Sequence, residues 1–171
     1  MHNTKIVLDQ STIERTIRRL AYEVVEKNQD LSNVVILGIP TRGLTLGKRI
    51  VENIQNIEGV TVAFGVLNVS AYRDDEKRTL DKTLPNIDVS QKTVILVDDV
   101  LFTGRTIRAA MDAVIDLGRP ARIQVLTLID RGHREFPVSA NYVGKNIPTA
   151  LKEKVIVRFL ENDDTEAVLL G

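Results

Sequence analysis

The chain has 171 residues, 43% hydrophobic and 27% charged, with 23 basic against 23 acidic side chains and no cysteine. That length holds one domain with a real core and is short for two, and the composition lies far from the disordered and fibrous classes. Formal neutrality confines nucleic-acid binding to a local basic face, and the lack of cysteine removes disulfides, zinc–thiolate centres and thiol nucleophiles.

In chain order, the start MHNTKIVLDQ lacks the layout of a signal peptide, and no run approaches the roughly 20 apolar residues of a membrane span, so a cytoplasmic protein is expected. Ser11 to Glu14 form a capping box, and Ile13, Ile17, Leu20, Ala21, Val24 and Val25 recur at helical spacing, which predicts a helix from about Ser11 to Lys27. Asn33 to Ile39 is a continuous apolar run closed by Pro40 and Gly43, the pattern of a strand buried on both faces. A helix over about Leu44 to Asn56 and a β-rich run over Val60 to Val69 follow. Residues 70–91 are thick with charge and read as a long flexible loop. Thr93 to Val97 is expected as a short strand, Thr103 to Leu117 as a helix and Ile123 to Ile129 as a strand. The alternation predicts a single α/β domain over residues 1–171, a parallel sheet flanked by helices with ligands at the carboxyl ends of its strands. Residues 130–151 read as an irregular cap, and Val155 to Leu160 and Ala167 to Leu170 as strands returning to the sheet or its edge.

One segment concentrates chemistry. Val94 to Thr106, VILVDDVLFTGRT, carries Asp98 and Asp99 out of an apolar strand, where like charges call for a cation or hydroxyl donors. Thr103, Gly104, Arg105 and Thr106 then offer backbone N–H groups, hydroxyls and a helix start suited to a phosphate. Taken singly these are a strand end and an N-cap, both common; together within nine residues they suit a phosphorylated sugar. The chain has neither the Gly-Lys-Ser/Thr loop of a P-loop ATPase nor a GxGxxG fingerprint.

VILVDDVLFTGRT resembles the motif by which type I phosphoribosyltransferases bind 5-phosphoribosyl-1-pyrophosphate (PRPP). Ile39 to Gly43 (IPTRG) resembles that family's pyrophosphate loop, and Ser70 to Asp75 (SAYRDD) its flexible loop. Asp130 to Glu135 (DRGHRE) with Tyr142 to Pro148 (YVGKNIP) is similar to the bifunctional PyrR branch, which attenuates pyrimidine operons and makes UMP from uracil. The resemblance implies a catalytic set of Asp98, Asp99, Arg42 and Arg73. It implies ribose hydroxyls on Asp98 and Asp99, the 5-phosphate on Thr103 to Thr106, and pyrophosphate on Thr41 and Arg42. Val100, Leu101, Phe102 and Arg78 join the substrate site, with the base near Arg131 and Val155. Mg²⁺ is expected by way of PRPP near Asp98 and Asp99, with no direct ligation by protein side chains. Purine enzymes of the family place an aspartate where Phe102 stands, so uracil is favoured over a purine-salvage role. A nucleotide sensor with negligible catalysis stays an alternative. The implied partners are PRPP, uracil, UMP, a pyrimidine-operon leader mRNA and a second copy of the chain. Arg15, Arg18, Arg19, Arg134 and Lys145 are the RNA-contact candidates. His133 and the scattered Tyr22, Tyr72 and Tyr142 read as structural.

Overall fold

The computed structural model describes residues 3–72 and 84–171. The chain opens with a short strand, β1 (Lys5–Leu8), followed by helix α1 (Gln10–Lys27). The expected Ser11 to Glu14 capping box is not what starts α1. Asp9 does, with its carboxylate accepting the Thr12 N–H at 2.9 Å and the Ser11 hydroxyl at 3.2 Å. A charged acceptor at the positive end of the helix prevails over the hydroxyl that follows it, and the Thr12 contact holds the Asp9 carboxyl below its ordinary value. Ile13, Ile17, Leu20, Ala21 and Val24 form the buried stripe. Each large aliphatic residue taken from water there contributes about 1.5–3 kcal/mol.

Strand β2 (Val34–Gly38), buried at every residue, is followed by helix α2 (Arg42–Glu58), strand β3 (Ala63–Val66), strand β4 (Thr93–Leu101) and helix α3 (Arg105–Leu117). Strands β5 (Arg122–Asp130) and β6 (Tyr142–Asn146) come next. These strands form a five-stranded sheet in the order β3-β2-β4-β5-β6, parallel throughout. One apolar cluster, with Ile36, Ile95 and Leu128 of the sheet, packs α1 and α2; a second, with Val35, Val94 and Leu96, packs α3. The alternation of faces along β2 and β4 explains the near-continuous apolar runs.

Three expectations change. β4 does not stop at Val97 but pairs with β5 as far as Leu101↔Asp130, so Asp98 and Asp99 lie within the strand and the turn begins after Leu101. The 130–151 segment is only partly irregular, because Tyr142–Asn146 is the edge strand β6, held by Tyr142, which is 1% exposed. Finally, β7 (Val155–Arg158) and β8 (Ala167–Leu170) do not rejoin the parallel sheet. They form an antiparallel hairpin that pairs with β1, a separate three-stranded sheet in the order β1-β8-β7, here called the hood. A parallel sheet edge needs a crossover connection, whereas a loop of eight residues between β7 and β8 permits only an antiparallel turn.

Candidate active site

Beyond its buried run, β4 carries Asp98, Asp99 and Val100 half-buried. Asp98 Oδ1 accepts the Asp99 N–H at 3.0 Å. Thr127, fully buried on β5, donates its hydroxyl toward the carbonyls of Asp99 at 3.2 Å and Ile129 at 3.0 Å, fixing the strand where the carboxylates project. The turn at 102–104 ends on Gly104 with φ +90°, and a Cβ there would also stand 3.4 Å from the Phe136 carbonyl and the Val138 side chain. The positive φ favours glycine, while the space alone would admit a Cβ in ordinary van der Waals contact. α3 then begins, its first N–H, from Arg105, donating to Thr103 Oγ at 3.2 Å. Residues 98 and 100–107 line a cleft of about 290 Å³ that thus joins a carboxylate to a helix N-terminus. Asp99 adjoins this lining without belonging to it.

The cap is laced to this turn. Thr103 accepts the N–H groups of Glu135 at 2.8 Å and Phe136 at 3.1 Å on its carbonyl. Arg134 donates to the Phe102 carbonyl at 2.8 Å, to the Val138 carbonyl at 2.8 Å and to the Asp130 carboxylate at 2.6 Å. Arg105 sends its guanidinium to Glu135 at 3.2 Å and over the Phe136 ring. Arg131, 6% exposed, lies 4.1 Å over the Phe102 ring and donates to the Ala150 carbonyl at 3.0 Å, while its Nε has no hydrogen-bond partner among the described residues. Burial lowers its guanidinium pKa. It borders a second cleft of about 390 Å³ with Asp130, Gly132, Arg134 and residues 146–148. His133 Nε2 lies 2.7 Å from the Thr149 carbonyl; since a carbonyl only accepts, this nitrogen carries the proton.

The IPTRG loop reaches the same end of the sheet. The Pro40–Thr41 peptide is cis, and Thr41 precedes α2 as its N-cap. A Cβ on Gly43 would meet the Val97 carbonyl at 2.5 Å, which seats the first turn of α2 directly on β4, one residue before Asp98. Arg42 opens that turn. Its guanidinium is directed toward the hood, Nε donating to Asp163 Oδ2 at 3.3 Å and Nη2 to Oδ1 at 2.6 Å. Along the same face of α2, Thr45 donates to Asn162 Oδ1 at 2.7 Å and Arg49 binds Glu161 at 2.6 Å and also Glu166. Val155 begins β7, which packs against β4.

Residues 3–159 match the phosphoribosyl transferase domain family. The chain is 50% identical over 166 residues to the pyrimidine operon regulatory protein of Lactococcus lactis subsp. lactis (strain IL1403), covering 97% of this chain and 96% of the relative. It is 49% identical over 167 residues to the bifunctional protein PyrR of Streptococcus mutans serotype c, covering 98% and 95%. The chain belongs to the PyrR family of phosphoribosyltransferases. This PyrR family member shares its fold with a hypoxanthine phosphoribosyltransferase of Staphylococcus aureus at a TM-score of 0.76 and 20% identity, over 96% of this chain and 90% of the other. The corresponding enzyme of Trypanosoma cruzi gives 0.75 at 20% identity, over 97% and 95%.

The PyrR fold thus brings together Asp98, residues 100–106, Thr41 and Arg42 at one sheet end, with Arg131 beside Phe102. Arg73 and Arg78 lie outside the described residues. Tyr72, just before them, donates to Asp116 of α3 at 2.7 Å, and burial first, then Asp116, pushes its hydroxyl up to about 12. Of the RNA candidates, Arg15 and Arg18 are exposed on α1, and Arg19 reaches Glu23 at 3.1 Å and the Gly144 carbonyl of β6, next to exposed Lys145. Arg134 is an internal strut and does not join them. What the sequence reading missed is the acidic loop 161–166. Its signal was the spacing of Arg42, Thr45 and Arg49, which share one helical face opposite the run ENDDTE.

Proposed function

We propose that this protein transfers the phosphoribosyl group of PRPP to uracil, giving UMP and pyrophosphate, and that it regulates a pyrimidine operon by binding its leader mRNA in response to UMP. The observation that carries the first half is the single cleft in which Asp98 and the start of α3 meet beside the Arg42 turn. The names of the relatives at 49–50% identity support the second.

The residues have separate tasks. Asp98 and Asp99 accept from the ribose 2- and 3-hydroxyls and hold the ring. The first N–H groups of α3, with the Thr103 and Thr106 hydroxyls, take the 5-phosphate. Arg42 faces the pyrophosphate; as the anomeric C–O bond breaks and negative charge gathers on the leaving group, a fixed guanidinium lowers the barrier more than it stabilises the ground state. Arg73 adds a second guanidinium to the pyrophosphate grip, and Arg78 joins the substrate site. Among the described residues no group of three or more His, Asp or Glu side chains gathers to hold a metal. Asp98 and Asp99 would serve as anionic neighbours of Mg²⁺ carried in on PRPP. When bound, Mg²⁺ neutralises charge on the departing pyrophosphate. The base lies beneath Arg131 and Val155, and Phe102 supplies an apolar wall in place of a proton-handling acid.

The test incubates the protein with PRPP, Mg²⁺ and a panel of bases, and identifies the nucleotide formed. UMP from uracil, with hypoxanthine and guanine poor, is expected. A preference for either purine overturns the assignment of the base.

A further inference from the structure

The contact between Arg42 and Asp163 has a geometry that bears on how pyrophosphate is held. Asp163 occupies one edge of the guanidinium, taking Nε–H and one N–H of Nη2. Three N–H groups, both on Nη1 and the second on Nη2, have no other partner among the described residues, and the side chain keeps 33% of its surface exposed. The carboxylate is itself fixed. Its Oδ2 accepts the Phe159 N–H at 3.1 Å, and its own N–H donates to the Phe159 carbonyl at 2.7 Å. The neighbouring Asn162 is tied to Thr45, one turn further along α2. The hood loop is thus indexed to α2 at two points, and Arg42 is held between the hood and the end of β4.

We propose that Asp163 is a positioning residue, holding the inner edge of the Arg42 guanidinium so that its outer edge is set to receive the pyrophosphate group of PRPP. This rests on the reading of Arg42 as a pyrophosphate ligand. A long arginine side chain loses rotamer freedom when it captures an anion, and a partner that fixes it beforehand removes that loss from binding. The opposite effect, a carboxylate that competes with pyrophosphate for Arg42, requires both anions to seek the same N–H groups; here Asp163 leaves the outer pair open. The Arg42 contact also keeps the Asp163 carboxyl below its ordinary value, so the clamp is charged at neutral pH.

The test compares Asp163→Ala, Asp163→Asn, Arg42→Ala and the double variant Arg42→Ala/Asp163→Ala with the unmodified full chain. Affinity for Mg²⁺–PRPP is measured by calorimetry, and the KM values for PRPP and uracil are measured separately, with circular dichroism on every variant. Asp163→Ala should weaken PRPP about tenfold, the scale of one charge-assisted hydrogen bond, and leave the KM for uracil unchanged. Asp163→Asn, which keeps an oxygen acceptor and the loop's shape, should recover part of that loss. The double variant should bind PRPP no more weakly than Arg42→Ala, because Asp163 acts through Arg42. Tighter PRPP binding by Asp163→Ala overturns the proposal in favour of competition. Equal losses for PRPP and uracil, or losses that add in the double variant, overturn it in favour of a structural hood latch. Unchanged PRPP affinity in Arg42→Ala removes the reading of the loop and this proposal with it. Loss in Arg42→Ala with none in Asp163→Ala removes the proposal alone.

Discussion

Single residues at the sheet end separate contacts with ligand from contacts within the protein. Arg42 keeps N–H groups open to an anion, and Arg42→Ala should weaken PRPP binding by about 1.5–3 kcal/mol, the range for a lost charge-assisted hydrogen bond. Calorimetry checks this, and unchanged affinity would assign IPTRG to structure. Gly43 stands at the other extreme, since it touches nothing that reacts. Because an added Cβ would sit 2.5 Å from the Val97 carbonyl, Gly43→Ala must lift the first turn of α2 off β4. It should cost both urea stability, by about 1–3 kcal/mol, and PRPP affinity, whereas a loop without a role would lose stability alone. Arg134 was a candidate for RNA by sequence. Its three bonds to Phe102, Val138 and Asp130 make it a support of the 102–104 turn. The contiguous VILVDDVLFTGRT was legible because its parts are adjacent in the chain. The tasks of Arg134 and Asp163 were not, because each is defined by a partner that only the folded backbone brings near.

Among the elements, the helices and four of the five parallel strands were legible from their periods, with ends shifted by a few residues, whereas β6 lay unread within the expected cap. Nor was the hood legible. β1 and β8 pair from opposite ends of the chain, and four-residue strands carry too little alternation to show their partners. The hood is joined to α2 by charge. The Glu166 side chain is 1% exposed and paired with Arg49, which also binds Glu161 and lies 4.7 Å over the Phe159 ring. Arg49→Ala leaves a buried carboxylate without its cation and should lower unfolding stability by about 3–5 kcal/mol, whereas Arg49→Met/Glu166→Leu should fall much less. Urea unfolding distinguishes them; equal losses would mean that packing and not charge holds the hood. Acidity offers a second check. Glu161 and Asp163 have folded pKa values held below their ordinary ones, by Arg49 and by Arg42 first. Their contribution is therefore complete above the unfolded carboxylate values, about 4, and is lost as pH falls through the lower folded values. Asp163→Asn should flatten the fall of thermal stability below about pH 4. An acid limb as steep as in the unmodified protein would contradict this.

At the scale of the whole molecule, a chain of 23 basic and 23 acidic residues needs a local basic face to meet RNA. Arg15 and Arg18 stand exposed on α1, and Arg19 bridges from α1 to β6 beside Lys145. No helix of the described residues is long and apolar enough to cross a membrane. If this face meets the leader mRNA, Arg18→Ala and Lys145→Ala should weaken RNA binding and reduce its salt slope while UMP synthesis is spared. Binding that is unaltered by both changes would move the RNA site elsewhere. The central claim is that phosphoribosyl transfer occurs at the carboxylates of β4. Its most direct test is the rate of UMP formation from PRPP and uracil by Asp98→Asn/Asp99→Asn, with circular dichroism to establish that the double variant is folded. The account predicts a folded protein with nucleotide formation abolished. A folded double variant that turns over at a near-normal rate would contradict it.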